Sequence, residues 1–195
     1  QLLPYRDPER ALWASDHSGK GLMLEMLPAE ALRTRLEKLG ISDDSRVVVY
    51  YGKDWISPST RVLFTLDHAG LGSVSLLDRG QTAWVVAGHP TTADVPVVTP
   101  GKLRPLTLRP TVVDAAFVRE HRGKPGFALV DGRSRSFYDG VETGGSHDVP
   151  HKTGHIAGAD SVPFTDVVGD DLKWKSPADL AATDNAIDRA ARAFE

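Results

Sequence analysis

Apolar positions along the first half of the chain switch between helical spacing and short continuous runs. Leu32, Leu36 and Leu39 fall on one face of a helix that begins with Pro28 in its favoured first turn and stops at Gly40. Arg46-Val-Val-Val-Tyr-Tyr51 is a brief uninterrupted apolar run, the pattern of a strand buried on both faces of a parallel sheet. Ser57 and Pro58 then read as N-cap and first residue of a second helix, with Val62, Leu63, Leu66 and Ala69 turned inward. Ser73 to Asp78 reads as another strand, and Thr82 to Ala87 as a short helix ended by Gly88 and Pro90. The residues before Met26 show no period and read as loop. This β-α-β-α order predicts an α/β fold with a parallel sheet and right-handed crossovers.

The pattern changes between Thr91 and Arg109. Pro96, Pro100, Pro105 and Pro110 punctuate a stretch without helical period, which predicts an extended linker stiffened by proline. Beyond it, Val113 to His121 reads as an amphipathic helix, Phe127 to Asp131 as a buried strand and Ser134 to Tyr138 as a single turn. A long polar loop leads to a short strand at Ala159 to Phe164. Ser176-Pro177 caps a last helix whose Ile187, Ala190, Ala191 and Phe194 share a face, and no glycine, asparagine or proline ends it. The expected organisation is therefore a module at 1–90, a linker at 91–110 and a second module at 111–195.

Composition narrows the chemistry. With 41% hydrophobic and 25% charged residues, the 195-residue chain is of ordinary globular composition. Its net charge of −3 offers no electrostatic footprint for nucleic acid or an anionic membrane. No apolar run is long enough to span a bilayer, and the opening QLLPYRDPER lacks the pattern of a signal peptide. A soluble protein is expected, with cytoplasm and periplasm both left open. The cysteine count of zero excludes disulfides, thiolate metal ligands and a cysteine nucleophile within these residues. His147, His151 and His155 recur at a spacing that lines one face of a helix, as metal ligands do. Pro150 and Gly154 break that helix, so the reading is a polar loop without metal.

Three spaced motifs remain. They are Asp78-x-Gly80-x-x-x-Trp84-x-x-x-Gly88-x-Pro90, Asp131-x-Arg133 at a strand end, and Gly154-His155-Ile156-x-Gly158-Ala159. In the first, glycine permits a tight turn after the strand, and the tryptophan is expected to anchor the short helix on the sheet. Together they resemble the rhodanese family, whose module opens with the second and third motifs and closes with the first. Here the closing half, Val47 to Pro90, precedes the opening half, Leu129 to Phe164. The resemblance implies a tandem, two-module thiosulfate or 3-mercaptopyruvate sulfurtransferase. Each module would be an open parallel sheet flanked by helices, and each would be incomplete. The catalytic cysteine would lie just past Glu195.

The same resemblance assigns the site. Tyr51 stands where the first module's cysteine would be, and a tyrosine with an ordinary pKa of about 10 is a poor nucleophile, so that module reads as inactive. Lys53 and Trp55 are candidates to line a cleft, although an exposed lysine and a packed tryptophan account for them singly. Asp131 and Arg133 end a strand, where open parallel sheets place their ligands. The resemblance implies that they support the active loop, with Arg135 and Arg133 holding the donor's anion through the guanidinium fork. Phe137 occupies the place where many mercaptopyruvate enzymes carry arginine, and Arg135 is the nearest substitute. His155 and Gly158 are read as structural support. The implied reaction passes sulfane sulfur from thiosulfate or 3-mercaptopyruvate to a thiol or cyanide through a cysteine persulfide, without a cofactor. The alternative is a catalytically inactive binding or regulatory protein. Incomplete sheets imply further polypeptide, strand exchange between two copies, or a merger of both halves into one permuted module.

Overall fold

Leu32 and Leu36, one helical turn apart on α1 (Ala29–Lys38), are fully buried, and the first half of the chain is organised around them. The computed structural model describes residues 12–14, 24–52, 56–143 and 152–183, which belong to two units, Gln1–Val112 and Val113–Glu195.

In the first unit, β1 (Trp13–Ala14) pairs antiparallel with β2 (Glu25–Met26), a pairing too short to leave a period in the sequence. Pro28 is the N-cap of α1 rather than its first residue; its extended ψ of 150° turns its carbonyl to accept from Leu32 N at 2.9 Å. Next come β3 (Val47–Val49), α2 (Ser57–His68), β4 (Val74–Leu76) and α3 (Gly80–Val86). β3 and β4 are parallel, with Val47 opposite Val74 and Val49 opposite Leu76. Helix α2 starts one residue earlier than Ser57-Pro58 suggested: buried Ile56 is the N-cap, and Pro58 occupies the first turn, where its missing N–H has no partner to lose. Leu12, Leu27, Leu66, Ala69 and Leu103 join the α1 leucines in one core. Val47 and Val49 pack against that core, but Val48 is 61% exposed. The expectation of a strand buried on both faces therefore fails here, because the described elements cover one face of a two-stranded sheet.

The proline-rich segment lies along this unit as a strap. Gly101 N donates to Glu37 O at 2.7 Å, Leu103 N to the Glu37 carboxylate at 3.0 Å and Lys102 N to Ser42 Oγ at 2.9 Å. Leu103 is buried, with Leu106 and Leu108 packed beside it. Further along, Arg109 pairs with Asp67 at 2.6 Å, and Thr111 Oγ1 lies 2.9 Å from His68 Nδ1. Proline removes donors the strap does not need, while the residues between prolines make the bonds.

The second unit opens with α4 (Ala115–His121), capped by the Asp114 carboxylate accepting from Phe117 N at 2.8 Å. β5 (Val130–Asp131), α5 (Arg135–Tyr138) and β6 (Asp160–Ser161) follow. A 3₁₀ turn spans Phe164–Val167, and α6 (Pro177–Thr183) comes last. β5 and β6 are parallel, with Asp131 opposite Ser161. Ser176 and Asp179 cap α6 reciprocally, Asp179 N donating to Ser176 Oγ at 3.1 Å and Ser176 Oγ to the carboxylate at 2.7 Å. The strand predicted from Phe127 shrinks to two residues, and Phe127 and Val130 are exposed. Ile187, Ala190, Ala191 and Phe194 lie outside the described residues.

The permuted single module does not form. β3 pairs with β4 and β5 with β6, in separate sheets, so the strands at 46–51 and 127–131 are not neighbours. Each strand is joined to its partner by a crossover within its own unit, which costs less loop entropy than a pairing across the chain.

Leu103→Ala is expected to lower the stability of the first unit by about 2–4 kcal/mol, as for buried leucines elsewhere. Gly101→Ala should also destabilise, because a β-carbon there would collide with the Ile41 carbonyl. Val97→Ala, at an almost fully exposed position, should change stability by less than about 0.5 kcal/mol. Urea unfolding of the three variants measures all three effects.

Candidate functional site

The end of β5 carries a dense polar network. Asp160 N donates to Leu129 O at 2.9 Å and Val162 N to Asp131 O at 3.0 Å, which fixes the strand against β6. Past Asp131 the chain turns back on that residue's own side chain: Arg133 N donates to Asp131 Oδ1 at 3.0 Å. The Arg133 guanidinium closes the turn, with Nε 3.0 Å from Oδ1 and Nη2 2.6 Å from Oδ2. The same Nη2 donates to Gly154 O at 2.8 Å, so a single side chain ties the strand end to a loop 21 residues later. The Asp131 side chain is 11% exposed. Hydrogen bonds from Arg133 hold its carboxyl below the usual aspartate range, against the opposing effect of burial. The guanidinium is raised in turn, chiefly by its bond to Asp131.

A second clasp lies beside the first. The rings of Tyr138 and His155 stack at 3.6 Å, with 3° between their planes. His155 Nδ1 sits 2.8 Å from Tyr138 O; a carbonyl can only accept, so Nδ1 carries the proton. The Tyr138 hydroxyl donates to Ala159 O at 2.7 Å. Gly154 and Gly158 adopt left-handed backbone at φ +85° and +87°, which a side chain would strain. The motif glycines thus shape the loop that the two clasps hold.

Between loop and strand opens a cleft of about 490 Å³. Leu129, Val130 and Ile156 form its apolar wall, and Asp131, Arg133 and Lys152 bring charge to it. Arg135, the first residue of α5, is exposed and is not among the residues lining the cleft. Lys152 and the aromatic clasp of Tyr138 were not singled out as site residues from the sequence. Lys152 belongs to no spaced motif, whereas Tyr138, seventeen residues before His155, is recognisable only once the loop is seen to fold back.

Of the first module's expected active loop, Tyr51 and Gly52 are among the described residues. Lys53 and Trp55 lie outside the described residues, as do His147 and His151. Tyr51 is 2% exposed, and its carbonyl accepts from Gln81 N at 2.9 Å. Gly80, at φ +56°, follows the left-handed Arg79, and a β-carbon on it would collide with the Tyr51 carbonyl. The glycine of this motif therefore admits the close approach of two strand ends. Trp84 does not anchor α3 on the sheet: it is 40% exposed, and its indole N–H donates to Pro90 O at 2.8 Å, closing the helix's own C-terminal turn.

No family model matches the chain. It is 34% identical over 159 residues to the thiosulfate sulfurtransferase of Rattus norvegicus, covering 80% of this chain and 53% of that protein. It is 33% identical over 155 residues to a probable 3-mercaptopyruvate sulfurtransferase of Pseudomonas aeruginosa, covering 78% of this chain and 52% of the relative. Among solved structures, the 3-mercaptopyruvate sulfurtransferase SseA from Escherichia coli superposes with a TM-score of 0.71 at 24% identity, over 90% of this chain and 63% of that one. The chain spans about half the length of the curated relatives it matches. On these comparisons the chain has a rhodanese-like fold and is similar to thiosulfate and 3-mercaptopyruvate sulfurtransferases over about half of their length.

The depressed Asp131 carboxyl makes a prediction about acid. A carboxyl held low in the folded state stabilises it fully above the ordinary aspartate pKa, near 4, and loses that contribution as pH falls through the folded value. Asp131→Asn should be less stable than the parent at pH 7 and should lose less stability between pH 7 and pH 3. Denaturant unfolding at the two pH values, followed on the second unit, measures the difference.

Proposed function

We propose that the chain forms part of a rhodanese-type sulfurtransferase, in which the second unit supports a persulfide site and the first unit holds no nucleophile. The observation that carries this reading is the pair of clasps at the end of β5, Arg133 to Asp131 and Gly154, and His155 to Tyr138, in a chain related to thiosulfate sulfurtransferases. These bonds rigidify the C-terminal end of a parallel strand, the end at which such sheets present ligands. The second reading, an inactive binding protein, draws no support from relatives whose names are those of sulfurtransferases.

In the proposed reaction, a cysteine thiolate attacks the outer sulfur of the donor. With thiosulfate, a new S–S bond forms on cysteine as the donor's S–S bond breaks, and sulfite leaves. A thiol or cyanide then removes the outer persulfide sulfur and returns the thiolate. The 195 residues contain no cysteine, so the nucleophile comes from other polypeptide. Arg133 is proposed to face the donor's negative charge through the Nη1 that its bonds to Asp131 and Gly154 leave over, and Arg135, outside the cleft on α5, to reach the donor in the completed module. Asp131, His155 and Gly158 hold the backbone around them.

Two outcomes test this. A verified sample of the 195 residues should produce no thiocyanate from thiosulfate and cyanide above a protein-free blank. Tyr51→Cys should leave it inactive, since the side chain at that position is buried beneath the Gly80 turn. In a protein that contains this chain together with a cysteine loop completing the second module, thiocyanate formation is expected. There, Arg135→Ala should raise KM for the anionic donor about ten-fold, the scale of one charge-assisted hydrogen bond, while leaving thermal stability unchanged. Absence of sulfur transfer from that completed protein would overturn the proposal.

A further inference from the structure

We infer that Lys152 is the anion receptor of the cleft beside β5, and that the cleft takes a small tetrahedral sulfur oxyanion in preference to a planar carboxylate. This deepens the sulfur-transfer reading, on which it rests for the identity of the anion.

The argument is one of charge already spent. Three charged side chains line the cleft: Asp131, Arg133 and Lys152. Arg133 is engaged by both Asp131 oxygens through Nε and Nη2, and Nη2 also serves Gly154 O. The planar face of its guanidinium, the geometry that matches a carboxylate fork to fork, is thus filled by the protein's own carboxylate. What it can still present is the single group Nη1. Asp131 and Arg133 also cancel in charge. Lys152 is exposed, lines the same cleft, and has no hydrogen-bond or ion-pair partner among the described residues. His155 adds no donor: with its proton on Nδ1, bonded to Tyr138 O, Nε2 can only accept. The cleft therefore carries a net positive charge supplied by an ammonium.

An ammonium is a compact point charge with three rotatable donors and no preferred plane. It suits a rounded ion whose oxygens point in several directions, such as thiosulfate or a sulfonate. The apolar wall of Leu129, Val130 and Ile156 suits the less hydrated thio sulfur of such an ion. A planar carboxylate pairs best with a guanidinium fork, and the fork of Arg133 is already filled by Asp131.

The test uses the 195-residue chain titrated with sodium thiosulfate, and separately with sodium pyruvate, at constant ionic strength, while backbone amide resonances are followed. Saturable shifts are expected at residues 152–156 with thiosulfate, at concentrations at least about ten-fold lower than with pyruvate. Lys152→Gln should weaken thiosulfate binding about ten-fold or more, and Lys152→Arg should retain most of it. Lys124→Gln, which removes the same charge from a lysine near Glu120 outside the cleft, should leave it unchanged. No saturable shift at 152–156, equal weakening by both glutamine variants, or tighter binding of pyruvate would each overturn the inference. Because the readout is binding to a chain without cysteine, its failure leaves the sulfur-transfer proposal standing. Failure of transfer in the completed protein would in turn leave the binding result intact.

Discussion

A parallel strand pair cannot be closed by a tight turn; the chain must leave one strand end and travel back before it can pair, and something must hold the returning segment down. The two units meet this constraint with different physics. Between β3 and β4 the return is made by α2, a three-turn helix whose Leu66, with the C-cap Ala69, enters a leucine core. Between β5 and β6 the only helix among the described residues is the one-turn α5, too short to bury a face. There the returning loop is held by polar bonds: Arg133 to Gly154, His155 to Tyr138 and Tyr138 to Ala159. The Arg133 guanidinium is central, since it joins the strand's last side chain to the loop's backbone.

The difference reaches the energetics. Hydrophobic burial is non-directional, so the first unit tolerates modest shifts of α2 so long as its leucines remain covered. Its strap adds directional bonds on top, through Glu37, Asp43 and Asp67, and supplies Leu103 to the core. In the second unit, Ala159, Pro163 and Val168 are the buried apolar side chains among the described residues, and its order depends on geometry at a few donors and acceptors. A polar network of this kind specifies position closely, which suits a place where ligands are received.

How far the sequence could be read follows from the same contrast. Helices with leucines at helical spacing were legible, because period and burial coincide in α1 and α2. The motif Gly154-His155-Ile156-x-Gly158-Ala159 marked the loop, since left-handed glycines leave a sequence trace. Burial of the strands was overestimated: Val48 and Phe127 sit in apolar runs yet are exposed, because a run reports what a strand could bury and not which neighbours are present. Trp84 was assigned to the sheet and instead closes its own helix, a choice between two partners for one indole that spacing does not settle. Lys152 left no trace, for an isolated lysine acquires meaning only from the charges around it.

The strap also gives the first unit a mechanical grain. Its anchors follow one another along the chain, from Gly101 on α1 through Arg104 on Asp43 to Arg109 and Thr111 at the end of α2. Tension applied at Val112 reaches the His68 and Asp67 contacts first and opens them one at a time, as a zip opens. Leu103, deeper in the core, yields later, and the bonds of Lys102 and Gly101 behind it yield last. Force from the C-terminal side would therefore lengthen the connection between the units by a graded release, with β3, β4 and the α1 leucines still in place after the outer anchors have parted.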